Sequence, residues 1–255
     1  MKKLHELGQN FLTDSSVAAK IAAAAGIQAG EEVWEIGPGM GILTREILAY
    51  QPKLTAFELD RRLIPVLGNM FRDQLRLMHA DILRVDWDEL TQNAPIKLLS
   101  NLPYQITSPL LALLEKHHQS FSIIVLMLQK EVGRRLAAEA GNKAYGALTL
   151  RMRMIFDIET LLEVPAELFD PVPKVDSVVL RFTHRASPPA LKNTEMFYRL
   201  IQLGFASRRK TLRNNLKSHF SAEQLQALEE QSGISLSRRA ESLNEAEFIT
   251  LADLL

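Results

Sequence analysis

Val33-Trp34-Glu35-Ile36-Gly37-Pro38-Gly39-Met40-Gly41-Ile42 is the stretch that decides the fold of this chain. It begins as a short apolar strand, passes through a glycine-rich turn and continues into a helix expected over about residues 42–49. In doubly wound α/β proteins, the glycine-rich turn between the first strand and the first helix lies against the bound ligand. The stretch therefore predicts a parallel sheet with a ligand site at the carboxyl end of this strand.

Strand and helix patterns alternate from this stretch to about residue 128. Further strands are predicted at residues 54–58, 75–78, 96–100 and 123–128, with helical patterns between them. Two later strands, residues 158–164 and 177–183, have no long helix between them, and we expect them to pair antiparallel at the sheet edge. The alternation predicts an α/β fold with a doubly wound, mostly parallel sheet.

The C-terminal part of the chain has a different pattern. Residues 185–190 have the composition of a linker, and the chain beyond them shows only helical patterns. Ser221 and Asn244 are each followed three residues later by Gln224 or Glu247, which is the spacing of a capping box. We therefore predict an α/β catalytic domain over residues 1–185 and a small, all-helical, RNA-binding domain over residues 191–255.

Composition limits the classes of function. The 255 residues carry a formal net charge of zero, so binding to nucleic acid would need a local basic patch rather than a global field. The absence of cysteine excludes disulfides and thiolate zinc sites, and the scattered histidines indicate no metal site. No apolar run is long enough to cross a bilayer. We expect a cytoplasmic, monomeric protein with no membrane or metal partner.

Asn101-Leu102-Pro103-Tyr104 follows the strand predicted at residues 96–100. The Asn101 amide oxygen and the Leu102 carbonyl can accept hydrogen bonds from an amino group, the proline presets the turn, and the tyrosine offers a flat face. These features suit a site that grips the amino group of a planar heterocycle. Taken alone, the same residues are equally compatible with a turn that begins a helix.

Two carboxylates indicate the kind of cofactor. The turn with Gly37, Gly39 and Gly41 lacks the third glycine of the dinucleotide fingerprint, which disfavours a pyrophosphate ligand. Glu58 ends the second strand, where a carboxylate accepts ribose hydroxyls in nucleotide sites. Asp81 follows the third strand and can accept the amino group of an adenine. Both carboxylates repel phosphates and tolerate a cation, so the sequence predicts S-adenosylmethionine.

The chain resembles the small-subunit ribosomal RNA adenine dimethyltransferases of the kasugamycin-resistance type, nearly from end to end. The segments that carry the resemblance are residues 8–12, 35–41, 58–60, 81, 101–104, 127–131, 169–177 and 208–210. The resemblance implies the class I S-adenosylmethionine-dependent methyltransferase fold. It also implies N6,N6-dimethylation of two adjacent adenosines near the 3′ end of small-subunit (16S) rRNA, linked to maturation of the small ribosomal subunit.

The resemblance further implies which residues form the site. The expected cofactor pocket is lined by Asn10, Leu12, Gly37, Gly39, Glu58, Asp81 and Asn101. Ile82, where the family often has alanine, is expected to pack against the adenine of the cofactor. Tyr104 is expected to stack on the target base, with Phe169 on the opposite side; a place for Phe169 in the core is the equal alternative.

A basic segment lies in the helical part of the chain. Between Glu195 and Glu223 there is no acidic residue, while the interval holds Arg208, Arg209, Lys210, Arg213 and Lys217. On a helix, the spacing from Arg209 to Arg213 and Lys217 places these three on one face. A solvated charged face is the usual interpretation, but the lack of acids favours a surface that follows RNA phosphates. Lys2, Lys3, Arg134 and Arg135 could extend it.

Two alternatives stay open. Large-subunit rRNA adenine N6-methyltransferases of the macrolide-resistance type share the cofactor loop and an N-[IL]-P-[YF] motif, although residues 169–177 and 208–210 favour the small-subunit family. A mainly non-catalytic rRNA-binding assembly factor is the second alternative, and the intact Asn101 argues that catalysis remains. DNA and protein-glutamine methyltransferases are disfavoured because they typically carry a second proline, as in N-P-P-Y.

Overall fold

The computed structural model describes residues 9–255 of the chain. Lys2 and Lys3 of the predicted basic surface, and Gly8 of the N-terminal motif, lie outside the described residues. The chain forms two compact units. The first contains the described residues up to Gly133 together with Asp157–His184, and the second contains Arg134–Phe156 and Arg185–Leu255.

The secondary structure of the described chain follows the predicted alternation. The strands are β1 (Phe11–Leu12), β2 (Glu32–Ile36), β3 (Lys53–Glu58), β4 (Leu75–His79), β5 (Ile96–Asn101), β6 (Phe121–Gln129), β7 (Phe156–Val164), β8 (Phe169–Asp170) and β9 (Ser177–His184). The helices up to β7 are α1 (Ser15–Ala24), α2 (Ile42–Leu48), α3 (Ile64–Phe71), α4 (Trp87–Leu90), α5 (Thr107–Lys116), α6 (Lys130–Leu136) and α7 (Ala147–Arg153). The last four are α8 (Thr194–Gly204), α9 (Leu212–Leu216), α10 (Ala222–Ser232) and α11 (Glu245–Asp253).

Seven strands form one mostly parallel sheet, which confirms the predicted fold class. Their order is β4-β3-β2-β5-β6-β9-β7, with parallel pairing from β4 through β6 and antiparallel pairing of β9 with β6. Residues 96–100 of β5 and 124–128 of β6 are buried without interruption, because both faces of a central parallel strand are covered. Since β2, β3 and β5 run in the same direction, their carboxyl ends meet at one edge.

A separate two-stranded sheet, which the sequence did not indicate, joins the N-terminal segment to a later one. β1 pairs antiparallel with β8, so that Phe11 is opposite Asp170 and Leu12 is opposite Phe169. Thr13 adds a backbone hydrogen bond to the Leu168 carbonyl at 2.8 Å. These bonds hold the N-terminal segment in place beside the glycine turn of the first unit.

The second unit has its own apolar core. Phe197, Leu212 and Phe248 of the C-terminal helices are fully buried, and they share one cluster with Tyr145 and Leu150. Residues 134–156 therefore group with the helical unit, whereas the sequence analysis placed them in the α/β domain. Amphipathic helices without a partner of their own must bury their apolar faces somewhere, and sequence position does not reveal where.

Helix ends in the second unit follow the capping signals. Both capping boxes are formed, with Gln224 N donating to Ser221 Oγ at 3.2 Å and Glu247 N donating to the Asn244 side chain at 2.9 Å. Helix α9 is short and covers only Leu212–Leu216. No helix in the described part of the chain is long and apolar enough to cross a membrane.

Candidate active site

The glycine turn between β2 and α2 leaves no room for a side chain at Gly39 or Gly41. All three glycines have positive φ, and a Cβ on Gly39 would lie 3.0 Å from the ring of Phe11. A Cβ on Gly41 would lie 2.6 Å from the ring of Phe71 in α3. The turn is therefore fixed between the N-terminal segment and α3, and its backbone forms one wall of a pocket.

Two adjoining pockets of the first unit open at the carboxyl edge of the sheet. They share Gln9, Gly37, Glu58 and Pro103. Among the predicted cofactor residues, the first pocket is lined by Asn10, Leu12, Gly37, Gly39, Glu58 and Asn101, and the second adds Asp81 and Ile82. The structure thus brings every predicted cofactor residue to the wall of one continuous region.

Glu58 is a buried carboxylate fixed by two backbone donors. Gly39 N donates to its Oε2 at 3.1 Å and Asp60 N donates to its Oε1 at 2.8 Å. Burial raises the pKa of Glu58, against these hydrogen bonds, which lower it. The two oxygens of a carboxylate together offer about four acceptor sites, so Glu58 keeps capacity to accept from a ligand hydroxyl.

Glu35 is a site residue that the sequence analysis missed. It lines the first pocket, is 1% exposed and accepts a hydrogen bond from Thr44 Oγ1 at 2.7 Å. Burial raises the pKa of Glu35 to about 8; the Thr44 bond lowers it, and repulsion from Glu58 adds to the rise. A carboxylate in the buried part of a strand, two residues before Gly37, was the available signal.

Asp81 and Ile82 form the wall of the second pocket. Asp81 Oδ1 accepts a hydrogen bond from Leu83 N at 3.0 Å, and its Oδ2 lies 3.3 Å from Nε of the exposed Arg84. Ile82 is 3% exposed, and its carbonyl accepts a hydrogen bond from Trp87 Nε1 at 2.8 Å. The carboxylate is thus oriented by its own turn, with accepting capacity left for a ligand.

The ionisable side chains that line the two pockets are all acidic. It includes the carboxyl groups of Glu35, Glu58 and Asp81, and among the described lining residues there is no lysine, arginine or histidine. Buried carboxylates need a proton or a cation to offset the cost of desolvation. The region is therefore suited to a cationic ligand and unsuited to a polyphosphate.

The segment Asn101–Tyr104 carries the polar groups from β5 into the first pocket. Asn101 Nδ2 donates to the Asn10 carbonyl at 3.4 Å, and Leu102 N donates to the Met127 carbonyl at 3.0 Å. Tyr104 then begins a short 3₁₀ turn, Tyr104–Ile106, that leads into α5. The segment does precede a helix, as the alternative interpretation held, but it also lines the pocket, and Asn101 does not cap that helix.

Phe169 requires a correction. Its ring is 2% exposed and belongs to the core cluster that contains Leu12 and Val17, and Phe169 does not line either pocket. Pairing of β8 with β1 turns this ring inward. With both faces covered it cannot stack on a target base, so the core interpretation replaces the predicted stacking role.

The basic segment also differs from its prediction. Arg208 pairs with Glu241 at 3.0 Å and Arg213 pairs with Glu229, so acids distant in sequence neutralise two of the five cations. Arg209 and Lys210 precede α9 rather than lying on it, and the single helical face does not form. Arg209, Lys210 and Lys217 are exposed.

Residues 9–255 contain no group of three or more histidine, aspartate or glutamate side chains arranged to hold a metal ion. The candidate site is therefore defined by its pocket and its hydrogen-bonding groups.

The sheet order and the pocket at its carboxyl edge define the class of protein as a class I methyltransferase. Over residues 1–255 the chain matches the family described as ribosomal RNA adenine dimethylase, and it belongs to that family.

Individual relatives agree with the family. The chain is 45% identical, over 96% of its length and 89% of the relative, to ribosomal RNA small subunit methyltransferase A of Magnetococcus marinus. It is similar to the crystal structure of a dimethyladenosine transferase from Plasmodium falciparum, with a TM-score of 0.76 and 25% identity over 94% of this chain and 95% of that one. It is equally similar in fold to the 23S rRNA methyltransferase ErmE, with a TM-score of 0.75 and 25% identity over 96% and 99% of the two chains.

Proposed function

We propose that this protein transfers methyl groups from S-adenosylmethionine to N6 of two adjacent adenosines near the 3′ end of small-subunit rRNA. The observation that carries the proposal is the meeting of Asn101–Tyr104 with the carboxylate-lined pocket at one sheet edge. One wall holds groups that accept from an amine, and the other holds groups suited to a cationic adenosine derivative.

The pocket residues fit the cofactor. Glu58 retains capacity to accept from the ribose hydroxyls, Asp81 can accept from the amino group of the adenine, and Ile82 offers an apolar wall to its ring. Asn10, Leu12, Gly37 and Gly39 would line the remainder. When bound, S-adenosylmethionine supplies an electrophilic methyl group on a positively charged sulfur.

The target amine must be activated, because the lone pair of adenine N6 is delocalised into the ring. Asn101 Oδ1 and the Leu102 carbonyl accept its two N–H groups, which favours a tetrahedral nitrogen with its lone pair free to attack. The bond from Asn101 Nδ2 to the Asn10 carbonyl leaves Oδ1 as the group available for this task. The methylated amine releases its proton to water, so the reaction needs no paired acid and base.

Tyr104 supplies the stacking surface for the target base. Its half-buried ring lines the pocket directly after Asn101 and Leu102. Stacking of a base on an aromatic side chain is worth roughly 1–3 kcal/mol. A base held in this way has left its own stack, so the target is an extruded or single-stranded adenosine.

The fold likeness does not decide the substrate, because the dimethyladenosine transferase and the 23S rRNA methyltransferase match this chain with TM-scores of 0.76 and 0.75. Sequence similarity supports the small subunit: relatives named small subunit methyltransferase A are 38–45% identical to this chain, whereas the large-subunit enzyme is 25% identical. The large-subunit alternative is therefore not favoured.

The test uses labelled S-adenosylmethionine with small and large ribosomal subunits that lack the modification. We expect label in two adjacent adenosines of small-subunit rRNA, each as N6,N6-dimethyladenosine, when the modified positions are mapped by nuclease digestion and mass spectrometry. Label confined to large-subunit rRNA, or no label in either, would contradict the proposal.

A further inference from the structure

The hydroxyl at the tip of the Tyr104 side chain is hydrogen-bonded to Ser177, a residue that has no role in the proposed reaction. Tyr104 Oη lies 2.9 Å from Ser177 Oγ, a hydrogen-bonding distance. Ser177 is fully buried, so this contact is inaccessible to an RNA substrate. Burial raises the pKa of Tyr104, with Ser177 opposing the rise, so the phenol stays protonated and can donate at neutral pH.

Ser177 is itself held rigidly by the sheet. It is the first residue of β9 and is paired with Gln129 at the carboxyl end of β6. The preceding residue is fixed as well, because the Asp176 carbonyl accepts a hydrogen bond from Lys130 N at 3.0 Å. The serine hydroxyl therefore occupies a position set by backbone pairing.

Strand β6 also fixes the backbone of the segment Asn101–Tyr104. Met127 of β6 accepts the backbone hydrogen bond from Leu102 N, two residues before Tyr104. β6 thus fixes the segment at its backbone through the bond to Leu102. It also fixes the tip of the Tyr104 ring indirectly, because Ser177 belongs to β9, which pairs with β6. With both ends fixed, the side chain cannot rotate about χ1 without breaking the bond to Ser177.

We propose that Ser177 is a positioning residue that holds the ring of Tyr104 as a preformed platform for the target adenine. The inference rests on the proposed function, and it concerns how the target base is accepted rather than how the cofactor is bound. A preformed platform lowers the cost of ordering on binding. Loss of the hydrogen bond between Tyr104 and Ser177 therefore weakens binding of the target base, while the cofactor pocket keeps its geometry.

The test is a double-mutant cycle with Ser177→Ala, Tyr104→Phe and the double variant, assayed with the unmethylated small subunit. We expect Ser177→Ala to raise KM for the RNA substrate roughly three- to tenfold, the range for loss of one hydrogen bond. The Kd for S-adenosylmethionine and kcat should each stay within about twofold. Tyr104→Phe keeps the ring and loses the hydrogen bond to Ser177, so it should raise KM by the same factor. Because that bond is then already absent, the double variant with Ser177→Ala should have the same KM as Tyr104→Phe alone.

Thr91→Val is the matched control, because it also deletes a buried hydroxyl of the first unit, one that donates to the Trp87 carbonyl at 2.7 Å. It should lower Tm and leave KM unchanged. Ser177→Ala with wild-type KM and only a lower Tm, or an added KM effect of Ser177→Ala in the Tyr104→Phe background, would overturn the inference. If Ser177→Ala does not fold, Tyr104→Phe with wild-type KM overturns it. A wild-type protein without methyl transfer would instead contradict the proposed function, and the inference with it.

Discussion

The pocket of the first unit and the basic segment of the second show two ways in which a protein places charge. In the pocket, Glu35 and Glu58 are buried and fixed by hydrogen bonds, and no cation lies among the described lining residues. In the basic segment, Arg208 and Arg213 are partly exposed and paired with acids. The buried carboxyl groups of the pocket thus have raised pKa values and no cation among the described lining residues, whereas the arginines paired with acids are groups that water screens.

This difference also explains what the sequence could predict. The carboxyl ends of neighbouring parallel strands meet, so Gly37, Glu58, Asp81 and Asn101 could be assigned to one edge as soon as the alternation was recognised. No comparable rule of sheet topology fixes the positions of the side chains in the basic segment. The pairs from Arg208 to Glu241 and from Arg213 to Glu229 depend on how helices pack, which periodicity does not determine.

Contacts between residues distant in sequence also explain why the structure differs from the predictions for Phe169 and for residues 134–156. Phe169 was assigned by its place in a motif, yet pairing of β8 with β1 turns it into the core. Residues 134–156 were assigned by their order in the chain, yet Tyr145 and Leu150 pack with the helices of the second unit. Short strands and buried helix faces acquire their position from contacts distant in sequence, whereas the site residues acquired theirs from strand ends.

The largest effect is expected in the pocket, from Asn101→Ala. Removing the amide deletes an acceptor for the target amine, and loss of one such preorganised group costs on the order of a hundred- to a thousandfold in rate. Single-turnover methyl transfer with saturating S-adenosylmethionine measures this loss, while equilibrium dialysis should show cofactor binding nearly unchanged. Asn93→Ala, at an exposed position, is the matched control and should behave as wild type. Near-normal turnover of the Asn101 variant would refute the assigned role.

Glu35→Gln tests the protonation of the buried pocket carboxyl through the pH dependence of stability. Between the ordinary pKa of 4.5 and the folded value of about 8, the folded protein retains a proton that the unfolded chain has released. The free energy of unfolding therefore falls as pH rises through this window and levels off above it. Glu35→Gln lacks this titration, so its stability relative to wild type should rise from pH 5 to pH 9 by on the order of a few kcal/mol. Denaturant unfolding at several pH values measures the difference, and a constant difference would mean that Glu35 is ionised throughout.

Asp81→Asn sharpens the assignment within the pocket. Asparagine keeps an oxygen for the turn hydrogen bond to Leu83 but loses the charge that favours the amino group of the cofactor's adenine. We expect roughly tenfold weaker binding of S-adenosylmethionine, as for loss of a charge-assisted hydrogen bond. An analogue without the 6-amino group should lose much less affinity, and equal losses for both ligands in calorimetric titrations would place the adenine elsewhere.

The smallest effect is expected on the basic side of the comparison. Replacing the exposed Arg209 and Lys210 with glutamine should reduce the dependence of log Kd for RNA on log salt concentration by about 1–2. Arg213→Gln is the contrast, because it leaves Glu229 without its partner and should lower Tm more than it changes the salt slope. An unaltered slope in the first variant would mean that these side chains are only solvated.

The central claim is tested most directly by a crystal structure of the protein with S-adenosylhomocysteine and a short RNA that presents an unpaired adenosine. The account predicts the ribose hydroxyls on Glu58, and the adenine stacked on Tyr104 with N6 within hydrogen-bonding distance of Asn101 Oδ1 and the Leu102 carbonyl. A cofactor product bound away from Glu58, or an adenine whose N6 faces solvent, would contradict it.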